Sequence, residues 1–432
     1  MTAERDGAPL RVERALRLMP RLESLAPLRA LLLSAAASDQ RRAWCSSARY
    51  LTLGKRSVEP RQLRGLLDGL LRRTALHLAE QYATATAALD HYGRGDSGAA
   101  VAVLLSAGAR EERTGRLAAA RAWYAAALDL AEGLTERRPE IAALLAFGAV
   151  EGRSGRFADS ARACQRGLVL AEAEGDHCDA IGACRALGDV AHAHGNFAGA
   201  RAWYARGLQH AGAGEHGALA GSLHLRLAAL ALDEGDTDAA AKALRRARGS
   251  PCQDRDVVVR ARLLCMQGTL HEALGDRSAA SDYREALLWA LRAAETPEVE
   301  LSIRLQIARH HLNAGRILEA EAEMRRAEER ALRGELAPWL VRVYVLMGQA
   351  SGTARDENGF VFFEQAIETC RALECTPLLE VEAYRAYGAF CETLGDAEAA
   401  RGYHERVREL LSSLDAGLDP SRLAACALFA TA

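Results

Sequence analysis

The chain has 432 residues, half of them hydrophobic, only 5% aromatic and ten proline, with a formal net charge of −2 at pH 7. Ala, Leu, Arg and Glu predominate and lose little side-chain freedom in helices, whereas the β-branched residues that sheets favour are sparse. This composition excludes a protein built mainly of sheet and predicts an all-α fold, and no run approaches the ~18 apolar residues that a membrane span requires.

The first hundred residues are predicted to form a basic helical N-terminal cap or degenerate repeats. Apolar periodicity over 12–33 and 61–89 is typical of helices, and residues 54–60 separate the two stretches. Residues 1–74 carry 15 Lys and Arg against 7 Asp and Glu. A cap with solvated arginines and a basic surface for an acidic partner or nucleic acid both fit this charge, and the lack of a recognition motif favours the cap.

Residue usage also suggests where the protein works. Residues 30–37 resemble a signal-peptide core, but they come late and follow acidic residues, so we expect a cytoplasmic protein. Lysine occurs only at Lys55 and Lys242, which we interpret as codon bias in a GC-rich, bacterial genome. Irregularly spaced cysteines predict reduced, mostly buried thiols. They are Cys45, Cys164, Cys178, Cys184, Cys252, Cys265, Cys370, Cys375, Cys391 and Cys426.

A period of 40 residues runs through residues 101–415. It is first seen where RAWYA at 121–125 recurs at 201–205. A small residue stands at Gly108, Gly148, Gly188, Ala228, Gly268, Ala308, Gly348 and Gly388. Seven residues later stand Gly115, Gly155, Gly195, Gly235, Gly275, Gly315 and Gly395, with Arg355 as the exception. Five residues beyond those stand Ala120, Ser160, Ala200, Ala240, Ala280, Ala320 and Ala400, with Phe360 as the exception.

Each mark of the period predicts a feature of a helical hairpin. The small residue lets the second helix approach the first, and the glycine allows the left-handed conformation that ends the first helix. Asn196, Asp236, Asp276 or Asp396 then begins the second helix by accepting from free N–H groups. A hairpin cannot bury its apolar stripe alone, so the hairpins must stack into a solenoid.

These marks resemble the tetratricopeptide repeat. The first repeat shows the pattern at Gly108, Gly115, Ala120, Tyr124 and Ala127, although the common unit has 34 residues rather than 40. The resemblance covers residues 101–415 and implies a right-handed superhelical solenoid of eight antiparallel helix pairs. In the seventh repeat Gly359 sits one place early. Residues 416–432 are predicted to add a C-terminal capping helix.

No pattern in the chain predicts catalysis, a cofactor or a metal site. There is no phosphate-binding loop, no nucleophile elbow and no His-Glu-x-x-His helix. His192 and His194 are two residues apart on one predicted helix and would point apart, so we do not expect them to share a metal. We therefore expect a protein that is not an enzyme.

In proteins similar to this one, the first helices line a concave groove, and the resemblance implies that this groove binds the ligand. The matching positions hold Arg113, Arg153, Arg185, Asp189, Arg262, Arg309, Asn313, Arg342, Gln349 and Arg385. Arginines there can grip carboxylates through paired hydrogen bonds, which suits an acidic protein or peptide partner.

Three hypotheses for function remain open at this point. The first is a protein- or peptide-binding scaffold or adaptor that uses the groove. The second is a signalling regulator whose solenoid binds a peptide or small ligand and controls a separate effector. The third, nucleic-acid association through the basic N-terminal segment, we consider unlikely.

Overall fold

The structure, a computed structural model, describes residues 97–414 with gaps at 114, 133, 213–215, 251–255, 294–295, 335, 355, 357 and 373–376, and also residues 84, 87, 88, 91 and 94–96. Sixteen α-helices and no strand occur in these residues. The predicted C-terminal cap and nearly all of the basic N-terminal segment lie outside them, so both remain predictions.

The helices form eight consecutive pairs. The first helices of the pairs are α1 (Ser97–Arg113), α3 (Arg138–Arg153), α5 (His177–Ala193), α7 (Gly217–Asp233), α9 (Val257–Ala273), α11 (Pro297–Asn313), α13 (Ala337–Ala354) and α15 (Pro377–Leu394). The second helices are α2 (Leu117–Ala131), α4 (Phe157–Glu174), α6 (Phe197–Ala211), α8 (Thr237–Arg248), α10 (Ala279–Ala290), α12 (Ile317–Arg333), α14 (Gly359–Ala372) and α16 (Ala397–Leu414).

The chain divides into two compact units, residues 1–150 with 371–375, and residues 151–370 with 376–432. Within the second unit, α5, α7, α9, α11 and α13 each contact the next first helix along the chain, which for α13 is α15. We call these six helices the first-helix layer. Second helices α4, α6, α8, α10 and α12 contact the first helix that follows each of them. The predicted all-α solenoid of antiparallel helix pairs is confirmed.

The turn within a pair closes through one recurring hydrogen bond, which the residue directly after the turn glycine donates. The backbone N–H of that residue donates to a carbonyl five residues earlier, and the preceding glycine has φ between 69° and 84°. The bond joins Arg116 to Glu111, Arg156 to Glu151, Asn196 to Ala191, Asp236 to Ala231, Asp276 to His271, Arg316 to His311 and Asp396 to Cys391, at 2.7–3.0 Å. This geometry satisfies carbonyls that the helix end leaves free.

The seventh turn keeps this bond without the glycine. Asp356 donates from its backbone N–H to the carbonyl of Ser351 at 2.9 Å, in the same register as the other turns. The one-residue displacement of Gly359 therefore arises after the turn and not in it. Gly359 begins α14, where a Cβ would lie 2.4 Å from Cζ of Phe390, so the displaced glycine admits the ring of α15.

Replacing Gly195 by valine is expected to destabilise the protein by about 1 kcal/mol or more. Gly195 has φ of 69°, a conformation in which a β-branched side chain collides with its own backbone. Thermal unfolding followed by circular dichroism would measure the change. An unaltered melting temperature would contradict the role given to this turn.

The predicted side chains begin the second helices. Asn196 accepts from the N–H of Gly199 at 2.9 Å, Asp236 from Ala239 at 2.9 Å and Asp396 from Ala399 at 3.0 Å. Asp276 accepts from Ser278 at 3.0 Å, one residue before α10 begins. Each of these oxygens satisfies an N–H that has no partner within the helix.

The small residue of the first helix makes room for a ring on the second helix. A Cβ on the glycine would lie 2.3–2.8 Å from the ring, closer than real Cβ contacts come. The glycine–ring pairs are Gly108 with Tyr124, Gly188 with Tyr204, Gly268 with Tyr283, Gly348 with Phe363 and Gly388 with His404. The rings of Tyr124, Tyr204, Tyr283 and Phe363 are buried. In these five pairs the two helices therefore meet at a distance that a larger residue at the glycine would forbid.

One pair of helices is also joined by a buried ion-pair network. Arg304 on α11 donates from Nε to Glu300 Oε1 at 2.8 Å and from Nη1 to Glu323 Oε2 on α12 at 2.7 Å. Arg330 donates to Glu300 at 3.1 Å, and Arg326 also donates to Glu323. The side chains of Arg304, Glu300 and Glu323 are only 11–12% exposed, so the fold depends on their mutual neutralisation.

Candidate functional site

All ten predicted groove residues lie on first helices. Arg113 is exposed at the end of α1 in the first unit. The others belong to the second unit. Arg153 is on α3, Arg185 and Asp189 on α5, Arg262 on α9, Arg309 and Asn313 on α11, Arg342 and Gln349 on α13, and Arg385 on α15. Eight of the ten therefore lie on the first-helix layer.

Arg185 and Asp189 meet Arg226, a residue that the sequence did not suggest. Nη2 of Arg226 on α7 lies 3.4 Å from Oδ2 of Asp189 on α5. The other carboxylate oxygen of Asp189 accepts from the hydroxyl of Tyr204 at 2.7 Å. Arg226 is buried. The Asp189 carboxylate thus holds two buried side chains, those of Tyr204 and Arg226.

Arg262 lies on α9, so three successive first helices each carry an arginine in this part of the layer. Burial, followed by the charges of Arg226 and Arg185, lowers the pKa of Arg262 to about 10, while Asp256 and Glu298 act in the opposite direction. Burial and then Arg226 likewise lower the pKa of Arg185, against Asp189 and Tyr204. Both guanidinium groups remain charged at neutral pH.

Two properties of Arg185 matter for ligand binding: its exposure to water and the direction of its pKa shift. Its side chain is exposed to water, yet protein atoms surround the guanidinium closely enough for burial to be the main influence on its pKa. Arg185 is therefore accessible to a ligand at the surface of α5.

Arg226 could have been found by comparing repeats. The same register holds Ala186, Met266, Gln306 and Leu346 in neighbouring repeats, so a charged residue at this place departs from the pattern.

The hydroxyl of Tyr204 has a different hydrogen-bond partner from the rings at its position in other repeats. In other repeats the ring donates to a carboxylate at the register of Glu112, Glu272 or Glu392. That register holds His192 in α5, and the Tyr204 hydroxyl bonds Asp189 instead.

Glu272 is the centre of a second polar group on the layer. It accepts from the hydroxyl of Tyr283 at 2.9 Å and from Nδ2 of Asn313 at 2.9 Å. Nδ1 of His310 lies 3.4 Å from the same carboxylate. Asn313, predicted to bond a peptide backbone, thus already uses one of its two N–H donors within the protein.

Arg342 takes part in packing rather than standing free on the layer. It is buried, with its guanidinium 5.1 Å from the ring centre of Trp339 and its Nε 3.9 Å from Glu382 Oε2. Arg309 is half-buried on α11, and Gln349 is exposed on α13. Of the predicted set, Arg185 and Asp189 share α5, whereas the other six residues of the layer are distributed over α9, α11, α13 and α15.

The histidines and cysteines of the described residues have other partners. His192 Nε2 lies 2.9 Å from Asp233 Oδ2, whereas the ring of His194 packs edge-on against Phe157, so the two histidines diverge. No group of three or more potential ligands among those residues is arranged for a metal ion.

Cys178 is exposed, whereas burial raises the pKa of Cys164 to about 12 and that of Cys184 to about 11. Cys45, Cys252, Cys375 and Cys426 lie outside the described residues.

Membrane insertion finds no support in the described helices, each of which falls short of the length or apolarity needed to cross a bilayer.

The helix pairs, their glycine turns and the ring packed on a small residue define a tetratricopeptide-like fold of helical hairpins. No family model matches the sequence, and no curated protein matches it.

Solved structures do match the fold. The Rap conjugation gene regulator of the plasmid pLS20, in complex with the Phr* peptide, is 15% identical, with 77% of this chain and 95% of the regulator covered and a TM-score of 0.51. A Rap protein complexed with Competence and Sporulation Factor is 13% identical over 74% of this chain and 99% of its own, with a TM-score of 0.46. A signal-transduction ATPase with a tetratricopeptide repeat sensor from Pyrococcus horikoshii is 14% identical over 71% and 51%, with a TM-score of 0.45.

Proposed function

We propose that this protein is a cytoplasmic, non-enzymatic scaffold that binds a peptide or an extended protein segment along the first-helix layer. The observation that carries the proposal is the presence of accessible arginines on contiguous first helices. Arg185 and Arg262 have no carboxylate within ion-pair distance among the described residues. An acidic segment would supply the missing partners through charge-assisted hydrogen bonds.

The fold supports a ligand of this kind. A layer of parallel first helices presents side chains at regular intervals, so an extended chain can contact several repeats at once. The Rap regulator that shares the fold was solved with the Phr* peptide, which shows that a solenoid of this type can hold a peptide. The binding energy would come from several modest contacts and not from one deep pocket.

A displayed library of random twelve-residue peptides would test the proposal. Peptides enriched by the wild type are expected to lose roughly tenfold or more in affinity for a variant with alanine at Arg185, Arg262 and Arg309. Arg342 is left intact because its removal would disturb the packing of Trp339.

A matched control carries alanine at Arg245, Arg246 and Arg284, which are exposed on second helices α8 and α10. This control changes the net charge by the same amount, so a general electrostatic effect would weaken both variants equally. Affinity retained by the control but lost by the first-helix variant supports the proposal. Failure of the folded wild type to enrich any peptide would contradict the proposal.

A further inference from the structure

Three histidines and one cysteine meet near the starts of α5 and α7. Sγ of Cys178 lies 3.4 Å from Nδ1 of His216, which follows it by 38 residues in the chain. The ring centre of His177 lies 5.8 Å from that of His210 and 6.3 Å from that of His216. The Cys178 thiol therefore lies among nitrogen bases that come from two successive helix pairs.

His216 occupies the N-cap position of α7 without capping that helix. At the same position before α5 and α9, the side chains of Asp176 and Asp256 accept hydrogen bonds from backbone N–H groups of the first turn. The His216 side chain makes no such bond, and its Nδ1 faces Cys178 instead. The imidazole gives up the hydrogen bond by which a cap stabilises a helix, so the start of α7 does not explain why a histidine is there.

Cys178 differs from the other cysteines in its exposure. It is exposed at the second residue of α5, whereas Cys164, Cys184, Cys370 and Cys391 are buried. The 40-residue period does not call for a thiol there either, because the same register holds Ala218, Val258 and Glu298 in the next three repeats. The start of a helix is also the positive end of its dipole, which favours a negative charge on the sulfur.

The carboxylate of Glu172, at the end of α4, is held by other groups of the cluster. It accepts from Nη2 of Arg206 at 2.7 and 3.0 Å, and its Oε1 lies 3.0 Å from Nε2 of His210. In the part of the chain that the structure describes, the His216 ring contacts Cys178 and His177 and has no carboxylate within ion-pair distance. In the tautomer protonated on Nε2, its Nδ1 can accept the thiol proton.

We infer that Cys178 is a site of reversible modification by small disulfides, with His216 as the base that takes the thiol proton. The proton passes from Sγ to Nδ1, and the resulting thiolate attacks one sulfur of the disulfide. The S–S bond of the small molecule breaks as a new S–S bond to Cys178 forms. The released half leaves as a thiolate and takes up the proton from His216. A small thiol reverses the same steps, and the inference does not rest on the proposed function.

The rate of modification can be measured separately at Cys178 and Cys184, because residues 167–185 form one tryptic peptide that contains both. The reduced full-length protein is incubated with glutathione disulfide at neutral pH, and the remaining thiols are blocked with N-ethylmaleimide at successive times. Fragmentation of the peptide in a mass spectrometer then locates the adduct. Cys184 is the internal reference, since it is buried and burial raises its pKa to about 11.

Cys178 of the wild type is expected to form the adduct at least about tenfold faster than Cys184. His216→Gln should slow the reaction of Cys178 by roughly fivefold or more, because glutamine cannot take the thiol proton. The matched control His210→Gln removes an imidazole of the same cluster that bonds Glu172, and it should change the rate by less than about twofold.

Folding of the variants is checked by circular dichroism and by the rate at Cys184, which rises if the surrounding helices loosen. If His216→Gln fails this check, His216→Asn takes its place, because asparagine caps a helix well and cannot take the proton either.

Two outcomes overturn the inference. In one, Cys178 of the folded wild type reacts no faster than Cys184. In the other, the variants at His216 and His210 react at Cys178 like the wild type or are slowed equally. Both results concern the modification alone, so the proposed function stands or falls separately with the peptide library.

Discussion

Gly188→Ala is expected to destabilise the protein by about 2–3 kcal/mol, a large effect for one methyl group. The new Cβ would lie 2.3 Å from Cε1 of Tyr204 and 2.6 Å from its Cδ1. Tyr204 cannot swing away, because its ring is fully buried and its hydroxyl is bonded to Asp189 at 2.7 Å. The helices α5 and α6 must therefore separate, and the contacts between them weaken. Urea unfolding followed by circular dichroism measures the loss.

A second alanine substitution separates this steric effect from the general effect of glycine in a helix. Gly402 lies within α16, and a Cβ there would meet no atom within 4 Å. Gly402→Ala is expected to leave stability unchanged or raise it by up to ~1 kcal/mol, because alanine favours the helix. Equal destabilisation by both substitutions would contradict the close packing of Gly188 on Tyr204.

Arg304→Ala is expected to destabilise the protein by about 3 kcal/mol or more. Arg304 is the residue that contacts both Glu300 and Glu323, and its removal leaves two enclosed carboxylates with one arginine each, Arg330 and Arg326. Like charges would then face each other across α11 and α12 with less compensation. The drop in the urea midpoint of unfolding, followed by circular dichroism, measures the loss.

An exposed ion pair provides the comparison. Arg406 donates to Glu409 at 2.9 Å on α16, where both side chains are 45–60% exposed. Arg406→Ala is expected to cost less than about 0.5 kcal/mol, since water solvates both groups when the pair is broken. A loss for Arg304→Ala as small as that for Arg406→Ala would show that the network on α11 and α12 is not essential to the fold.

The core and the proposed binding site share one chain of contacts. Gly188 admits the Tyr204 ring, Tyr204 donates to Asp189, and Asp189 pairs with Arg226. A change at Gly188 therefore disturbs the contacts of Arg226 as well as the stability of the helix pair. The ligand test therefore leaves Asp189 and Arg226 unchanged.

Much of the local structure follows from the sequence alone. The 40-residue period, the glycine at each turn and the side chains that begin the second helices act over a few residues. A left-handed turn at Gly195, or the bond from Asn196 to Gly199, depends on backbone geometry that neighbouring residues set. The seventh turn shows the limit of the pattern, because the backbone keeps its hydrogen bond at Asp356 although Arg355 replaces the glycine.

Only the tertiary structure decided how the arginines of the first helices are used. Arg185, Arg262 and Arg342 all occupied positions predicted to line the groove, but Arg342 is buried near Trp339, whereas Arg185 is exposed and Arg262 is half-buried. The physical reason is that the carboxylate beside Arg342, that of Glu382, lies in the next repeat. Which side chains meet depends on the rotation and spacing of one helix against the next, and the sequence period records neither quantity.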